Sequence, residues 1–213
     1  MTSRPDADPP PEVPLRPLRA DARDNRARIL AAADEVFGRG GAAASTEDVA
    51  RVAGVGIATV FRHFPTKQGL LRAVLVARLE GLRDRARHLA AADADPGRVF
   101  VGFFTEVVEG AAHKLTIIDA LSAAGGDVHP EASGEDAGAD GPARAGAELR
   151  EAFGELLRRA QSAGAIRDDV ALAEVYALMI GASRAAAHVP MDEPTRARVL
   201  ALTLDALRPP SRP

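Results

Sequence analysis

The sequence predicts an all-α protein in two unequal parts: a small N-terminal three-helix domain carrying a helix-turn-helix, joined by a long helix to a larger C-terminal helical domain. Three observations carry this reading. From Asp24 onward apolar residues recur at three- and four-residue spacing, the period of a helix with one buried side. One Tyr, no Trp and seven Phe stand among many Ala and Leu, so the residues that favour strands are scarce. Between Thr46 and Phe64 two short apolar-periodic segments meet at a glycine-containing turn, as in a helix-turn-helix.

With 213 residues, 46% of them hydrophobic, the chain has material for a sizeable core. The absence of cysteine excludes disulfides, thiolate metal sites and thiol nucleophiles. No signal-peptide core follows Met1, and no run approaches the roughly 18 apolar residues of a membrane span. A cytoplasmic location without membrane contact is the expectation.

Taken in order, residues 1–22 form a proline-rich arm in which Pro9, Pro10, Pro11, Pro14 and Pro17 oppose helix formation, and a disordered tail is expected. Residues 23–68 form the helix-turn-helix domain. Its first helix starts near Asp24, buries Ile29, Leu30, Ala33, Val36 and Phe37, and stops at Gly38-Arg39-Gly40-Gly41. Ser45 caps the second helix, which ends at Gly54 and is expected to turn Val49 and Val52 inward. The third runs from about Gly56 to Phe64, with Val60 and Phe64 inward. Thr66 caps a fourth helix, Lys67 to Ala92, that leads into the second domain, residues 69–209.

Beyond a break at Asp93–Gly97 comes a strongly apolar helix around Val99 to Val108, continued by Leu115, Ile117, Ile118 and Leu121. Residues 125–142 lack periodicity and are expected to be a flexible loop. Helices over 143–163, 170–189 and 193–207 complete the chain. The second of these is nearly uncharged and rich in small residues, which suits it either to the centre of the core or to packing between two subunits.

Charge separates the two parts. Between Val49 and Leu79 the chain has Arg51, Arg62, Lys67, Arg72 and Arg78 and no acid, although its formal net charge is -3. A basic helix-turn-helix in an acidic protein points to contact with duplex DNA. With Val60 and Phe64 inward, Ile57, Ala58, Phe61 and Arg62 face outward and Thr59 and His63 lie between the faces. Ile57 and Ala58 suit thymine methyls, and Arg62 suits a phosphate or a guanine, the phosphate foremost. Ser45, Thr46, Gly56, Thr66 and Lys67 would offer hydroxyls, backbone N–H groups and a cation to flanking phosphates. Arg16, Arg19, Arg23 and Arg26 are the arm-side candidates.

Residues Asp24 to Leu75 resemble the DNA-binding domain of the tetracycline-repressor (TetR) family. The resemblance lies in Ile29-Leu30-Ala31-Ala32-Ala33, Phe37, Asp48-Val49-Ala50, Ala53-Gly54-Val55 and Thr59-Val60-Phe61-Arg62-His63-Phe64-Pro65-Thr66-Lys67, followed by Leu70-Leu71. It covers about a quarter of the chain. The resemblance implies a homodimer that binds a palindromic double-stranded operator, represses transcription and leaves DNA when a small molecule fills the C-terminal domain. Gly56, Ala58 and Phe61 stand where the family often has serine, glycine and tyrosine, so Phe61 lacks the hydroxyl that commonly reaches a phosphate.

Phe100, Phe103, Phe104, Val107, Ile117, Leu121, Leu149, Phe153, Leu156, Tyr176 and Met179 suit either ordinary core or, as a group and with the resemblance, the lining of an effector site, with His113, Asp119 and Tyr176 as its polar groups. Cations are few there, and a neutral or apolar effector is expected. Neither a cofactor, a metal nor an enzymatic activity is expected. The glycine loop from Gly54 lacks the third glycine and preceding strand of a dinucleotide fold, the five histidines are scattered, and no Gly-x-Ser-x-Gly elbow occurs. Docking of the basic segment to an acidic protein, or nonspecific DNA coating, would be alternatives. Sequence preference among duplexes separates a regulator from the first, and the large apolar C-terminal half argues against the second.

Overall fold

The computed structural model describes residues 16–126 and 141–210. Helix α1 (Arg16–Gly40) begins inside the segment expected to be a tail. Pro17 falls in its first turn, where a backbone nitrogen has no intrahelical acceptor to lose, so proline is tolerated there. The remainder of the arm, 1–15, lies outside the described residues. α1 buries Ile29, Ala32, Ala33 and Phe37 and gives way at Gly41 (φ 53°) to a single 3-10 turn, Gly41–Ala43.

Helix α2 (Thr46–Ala53) is closed at both ends by local hydrogen bonds. Ser45 Oγ accepts from the Asp48 amide at 3.1 Å, and Gly54 adopts the left-handed conformation, φ 65° and ψ 36°. The Val55 amide then reaches Ala50 O (3.1 Å) and the Gly54 amide Arg51 O (3.3 Å), which turns the chain sharply into α3 (Ile57–His63). The buried stripe of α2 runs through Thr46, Val49, Ala50 and Ala53. Val52, expected inward, falls outside that stripe and is 43% exposed. Val60 and Phe64 are buried as expected and fix α3 to α1 and α2.

Helix α4 (Lys67–Ala91) is capped by Thr66, whose Oγ1 accepts from the Gly69 amide at 2.9 Å. Leu70, Leu71, Val74 and Leu75 serve the first domain's core, while Leu79 and Ala86 lie farther along the same helix. Helix α5 (Pro96–Glu109) starts earlier than expected. Asp95 caps it by accepting from the Arg98 amide at 2.7 Å, and Pro96 and Gly97, read as breakers, form its first turn. Helix α6 (Ala111–Ala123) follows almost without interruption.

Gly125 (φ 80°) closes α6, and α7 (Gly141–Ser162) already contains Gly141 and Pro142, so the expected 125–142 loop is structured at both rims. Residues 127–140 lie outside the described residues. α8 (Leu172–His188) and α9 (Glu193–Asp205) complete the domain, α9 with no buried residue.

The C-terminal core is aromatic. Phe153 of α7 lies with its ring centroid 5.5 Å from Phe100 and 6.1 Å from Phe103, and Phe104 packs on Phe100 at 6.1 Å. α7 also lies along α4, where Arg83 Nη1 donates to Glu148 Oε2 at 2.5 Å and Arg144 Nε to Oε1 at 3.0 Å. The Arg83 bond, with that of Arg144, holds the Glu148 carboxyl below its ordinary range.

A lowered folded-state value means that the contribution of Glu148 to stability is present above the ordinary glutamate range and lost as the pH falls through the depressed value. Glu148→Gln is therefore expected to flatten the acid side of a plot of thermal midpoint against pH. An acid limb unchanged by the substitution would assign this dependence to other groups.

Candidate nucleic-acid interface and effector region

The α2–α3 turn leaves room in front of the recognition helix: a methyl group placed on Gly54 or Gly56 would meet no atom within 4 Å. Ala58, Phe61 and Arg62 are exposed on the outer side of α3, Phe61 by 42%. Thr59 and His63 are half-buried at its edges. Ile57, expected outward, is only partly exposed because it also packs against the core. The resulting surface is largely apolar with one guanidinium, and it can offer contacts to base methyls and sugars together with one contact to a phosphate or guanine. Val52 belongs to the same exposed apolar set. It was missed because a valine in a short amphipathic helix reads as core.

The flanking candidates are turned to the fold's own backbone. Ser45 Oγ donates to Asp48 Oδ2 at 2.7 Å while capping α2. Arg51 Nη2 donates to Asp48 Oδ1 at 2.9 Å, and this bond, ahead of that from Ser45, keeps Asp48 below the usual carboxylate range. Thr46 is buried, with its hydroxyl 3.3 Å from Glu47 Oε2. Thr66 caps α4. Lys67 Nζ donates to Ala42 O at 2.8 Å and Ala44 O at 2.6 Å and lies 5.6 Å from the Phe37 ring centroid. Its charge thus ties the start of α4 to the link between α1 and α2, where orphan carbonyls need a donor. Arg26, an arm-side candidate, sits 5.1 Å from the Phe64 ring centroid at the end of α3.

In the C-terminal domain Phe100, Phe103, Phe104, Ile117, Leu121, Leu149, Phe153, Leu156 and Met179 are buried in one hydrophobic core. Tyr176 lies at its rim, its ring 6.3 Å from Phe153 and under the Arg150 guanidinium at 5.0 Å. Asp119 is exposed. Val107 is the expected effector residue that borders a cleft, one of about 390 Å³ between α4, α5 and α6, whose lining includes Arg78, Leu82, Arg85, Glu106 and Lys114. The cations come from α4 and α6, so the expectation of a cation-poor site does not describe this cleft.

His113 serves the junction between the domains. Its Nε2 is buried 3.2 Å from Asp34 Oδ2 of α1, without the alignment of a hydrogen bond, and its ring fills the space left by Gly38. A methyl group on Gly38 would come within 2.0 Å of the imidazole. Arg78 Nη1 of α4 meets both Asp34 carboxylate oxygens, at 3.2 and 3.3 Å. Asp34, Arg78 and His113 thereby join α1, α4 and α6 at one point.

A helix-turn-helix head on an α-helical body of this plan defines a DNA-binding regulator of transcription. Residues 29–74 match the family model of the tetR bacterial regulatory proteins, and 95–209 match that of the C-terminal domain of SbtR-like transcriptional regulators. The chain belongs to the TetR family. It is 38% identical to a TetR transcription regulatory protein of Mycobacterium vanbaalenii, over 90% of this chain and 99% of that one, with a TM-score of 0.70. It is 31% identical to the TetR transcriptional regulator SCO0520 of Streptomyces coelicolor, covering 86% and 98% of the two chains, also at 0.70. PfmR of Thermus thermophilus, 19% identical over 88% and 98%, shares the fold at a TM-score of 0.56. No curated protein matches the chain.

Arg62 and Lys67 should respond differently to removal of their charge. Arg62→Ala is expected to weaken DNA binding and to lower the slope of log affinity against log salt by about 1, with the fold intact. Lys67→Met, which strips one exposed and one part-buried carbonyl of a charged donor, is expected to cost about 1 kcal/mol of stability. Thermal unfolding and salt-dependent anisotropy titrations of both variants test the distinction. A Lys67→Met protein of wild-type stability with a reduced salt slope would make Lys67 a phosphate contact instead.

Proposed function

We propose that this regulator is a homodimeric repressor that holds a palindromic operator and releases it when a small molecule binds the C-terminal domain. The observation that carries the reading is the continuity of α4, one 25-residue helix whose first turns pack on α1 in the head and whose later turns wall the cleft shared with α5 and α6. A ligand that moves α4 at the cleft moves the head at its other end.

In this reading Ala58, Phe61 and Arg62 meet the major groove, Thr59 and His63 lie at its margins, and the backbone at Gly56 approaches the phosphates. Ser45, Thr46, Thr66 and Lys67 hold the head in shape and act on DNA indirectly. The protein has no catalytic role and works in the cytoplasm. Among the described residues no helix is long and apolar enough to cross a membrane.

Dimerisation is assigned to α8 and α9. Leu178 is 42% and Leu202 52% exposed, and a groove of about 690 Å³ between the two helices is lined by Ala177, Gly181, Ala185 and Val199 among others. Open apolar surface of this kind invites a second copy, and small residues let two helices approach closely. Ala182 is buried under the groove, so Leu178 is the better position to disturb.

Selection from a random duplex pool with purified protein is expected to return a palindrome with half-sites one or more helical turns apart, about 10 to 10.5 base pairs each. Transcription from the bound promoter should rise when the gene is deleted. Recovery of no preferred sequence would overturn the operator reading, and a fall in transcription would make the protein an activator. Leu178→Glu is expected to give a monomer by sedimentation with poor operator affinity. A Leu178→Glu protein that remains dimeric would place the interface elsewhere.

A further inference from the structure

We propose that the cleft between α4, α5 and α6 is an anion site that takes a small amphipathic monocarboxylate, and that the ligand competes with Asp34 for Arg78. The inference rests on the effector-release reading and supplies its ligand class and its switch.

Among the described residues the lining carries Arg78 and Arg85 from α4, Lys114 from α6 and one carboxylate, that of Glu106. Arg85 Nε lies 3.6 Å from Glu106 Oε2, beyond hydrogen-bond length, with both side chains about half exposed. A ligand carboxylate can displace so loose a pair. Beneath the cations Leu82 and Val107 supply an apolar floor, and Gly81 leaves the α4 wall open, since a methyl group there would meet nothing within 4 Å. A cationic rim over an apolar floor fits a carboxylate on a hydrocarbon or aryl body, and about 390 Å³ suits a small molecule.

Arg78 makes the site more than a place to bind. Its Nη1 holds Asp34 of α1, while its Nη2 lies on the cleft side, 3.6 Å from the position a Gly110 methyl would take. One guanidinium therefore faces the DNA-binding head with one nitrogen and the cleft with the other. A carboxylate in the cleft gains most from a bidentate hold on that fork, and taking it draws the cation from Asp34. Asp34 then keeps the neighbouring His113, and α1 loosens from α4 and α6. By linkage, DNA that favours the clasped head must weaken carboxylate binding by the same factor.

The test uses the full-length protein with octanoate and benzoate as probes and octanamide and benzamide as their uncharged counterparts. Binding is read by calorimetry and operator release by fluorescence anisotropy. Both acids are expected to bind saturably at millimolar concentration and to release operator, and the amides to do neither. Arg85→Gln is expected to weaken the acids roughly tenfold, the effect of losing one charge-assisted contact. Asp34→Asn is expected to do the reverse: it frees Arg78, so acids bind several-fold tighter while operator affinity falls before any ligand is added. Arg85 is half exposed, so its substitution remains informative if Asp34→Asn fails to fold.

The proposal is overturned if neither acid binds saturably, if amides bind as well as acids, or if Arg85→Gln leaves acid affinity unchanged. Operator release by an amide would overturn it while leaving the effector-release reading intact. Acids that bind with the expected dependence on Arg85 yet never alter operator occupancy would bring down both the switch and the release reading.

Discussion

Everything in this protein hangs on the unbroken hydrogen-bond ladder of α4. A helix of 25 residues spans about 38 Å at 1.5 Å per residue. Leu70, Leu71, Val74 and Leu75 commit its first turns to the head, whereas Arg83 ties a later turn to Glu148 of α7. Because the buried residues of head and body form one contiguous core in which this helix takes part, neither domain can shift without straining the other. Asp34, Arg78 and His113 add a polar clasp where the two domains meet, and polar clasps, unlike close-packed cores, have alternative partners of nearly equal strength.

The head spends its polar residues on itself. Helices of seven and eight residues are too short to be stable alone, and their ends leave many amides and carbonyls unpaired. Ser45 satisfies an amide of α2, Thr66 one of α4, and Lys67 two carbonyls in the link before α2, which leaves Phe61, Ala58, Val52 and Arg62 among the head's exposed residues. Such a surface reads sequence through shape and methyl contacts more than through hydrogen bonds. Part of the long-range attraction to DNA must then come from cations away from α3.

The C-terminal domain divides its space differently. Its aromatic residues close on one another, and open volume lies at helix junctions. A ligand at such a junction changes the distance between elements without having to open a packed core, which would cost far more. It shifts the balance of two head positions only by the difference in its affinity for them. A charge shared between ligand and Asp34 provides such a difference.

How much of this was legible beforehand follows from how local each feature is. Helix periods, the Ser45 and Thr66 caps, the Gly54 turn and the inward Val60 and Phe64 depend on residues a few positions apart, and the sequence alone determined them. It also determined the class of protein, since a basic helix-turn-helix and the ordered motif around it are contiguous. The start of α1 lies inside the proline-rich segment because a proline in the first turn removes no intrahelical hydrogen bond. Other features needed the tertiary fold. Lys67 meets carbonyls 23 and 25 residues away, Arg78 meets an aspartate 44 residues away, and the cleft draws its cations from α4 and α6. No pattern along the chain marks such partners. The sequence named the residue types available for DNA and ligand, and tertiary structure decided which of them face outward and which are consumed in holding the fold, because a polar side chain goes to whichever unpaired group the folded backbone brings within reach.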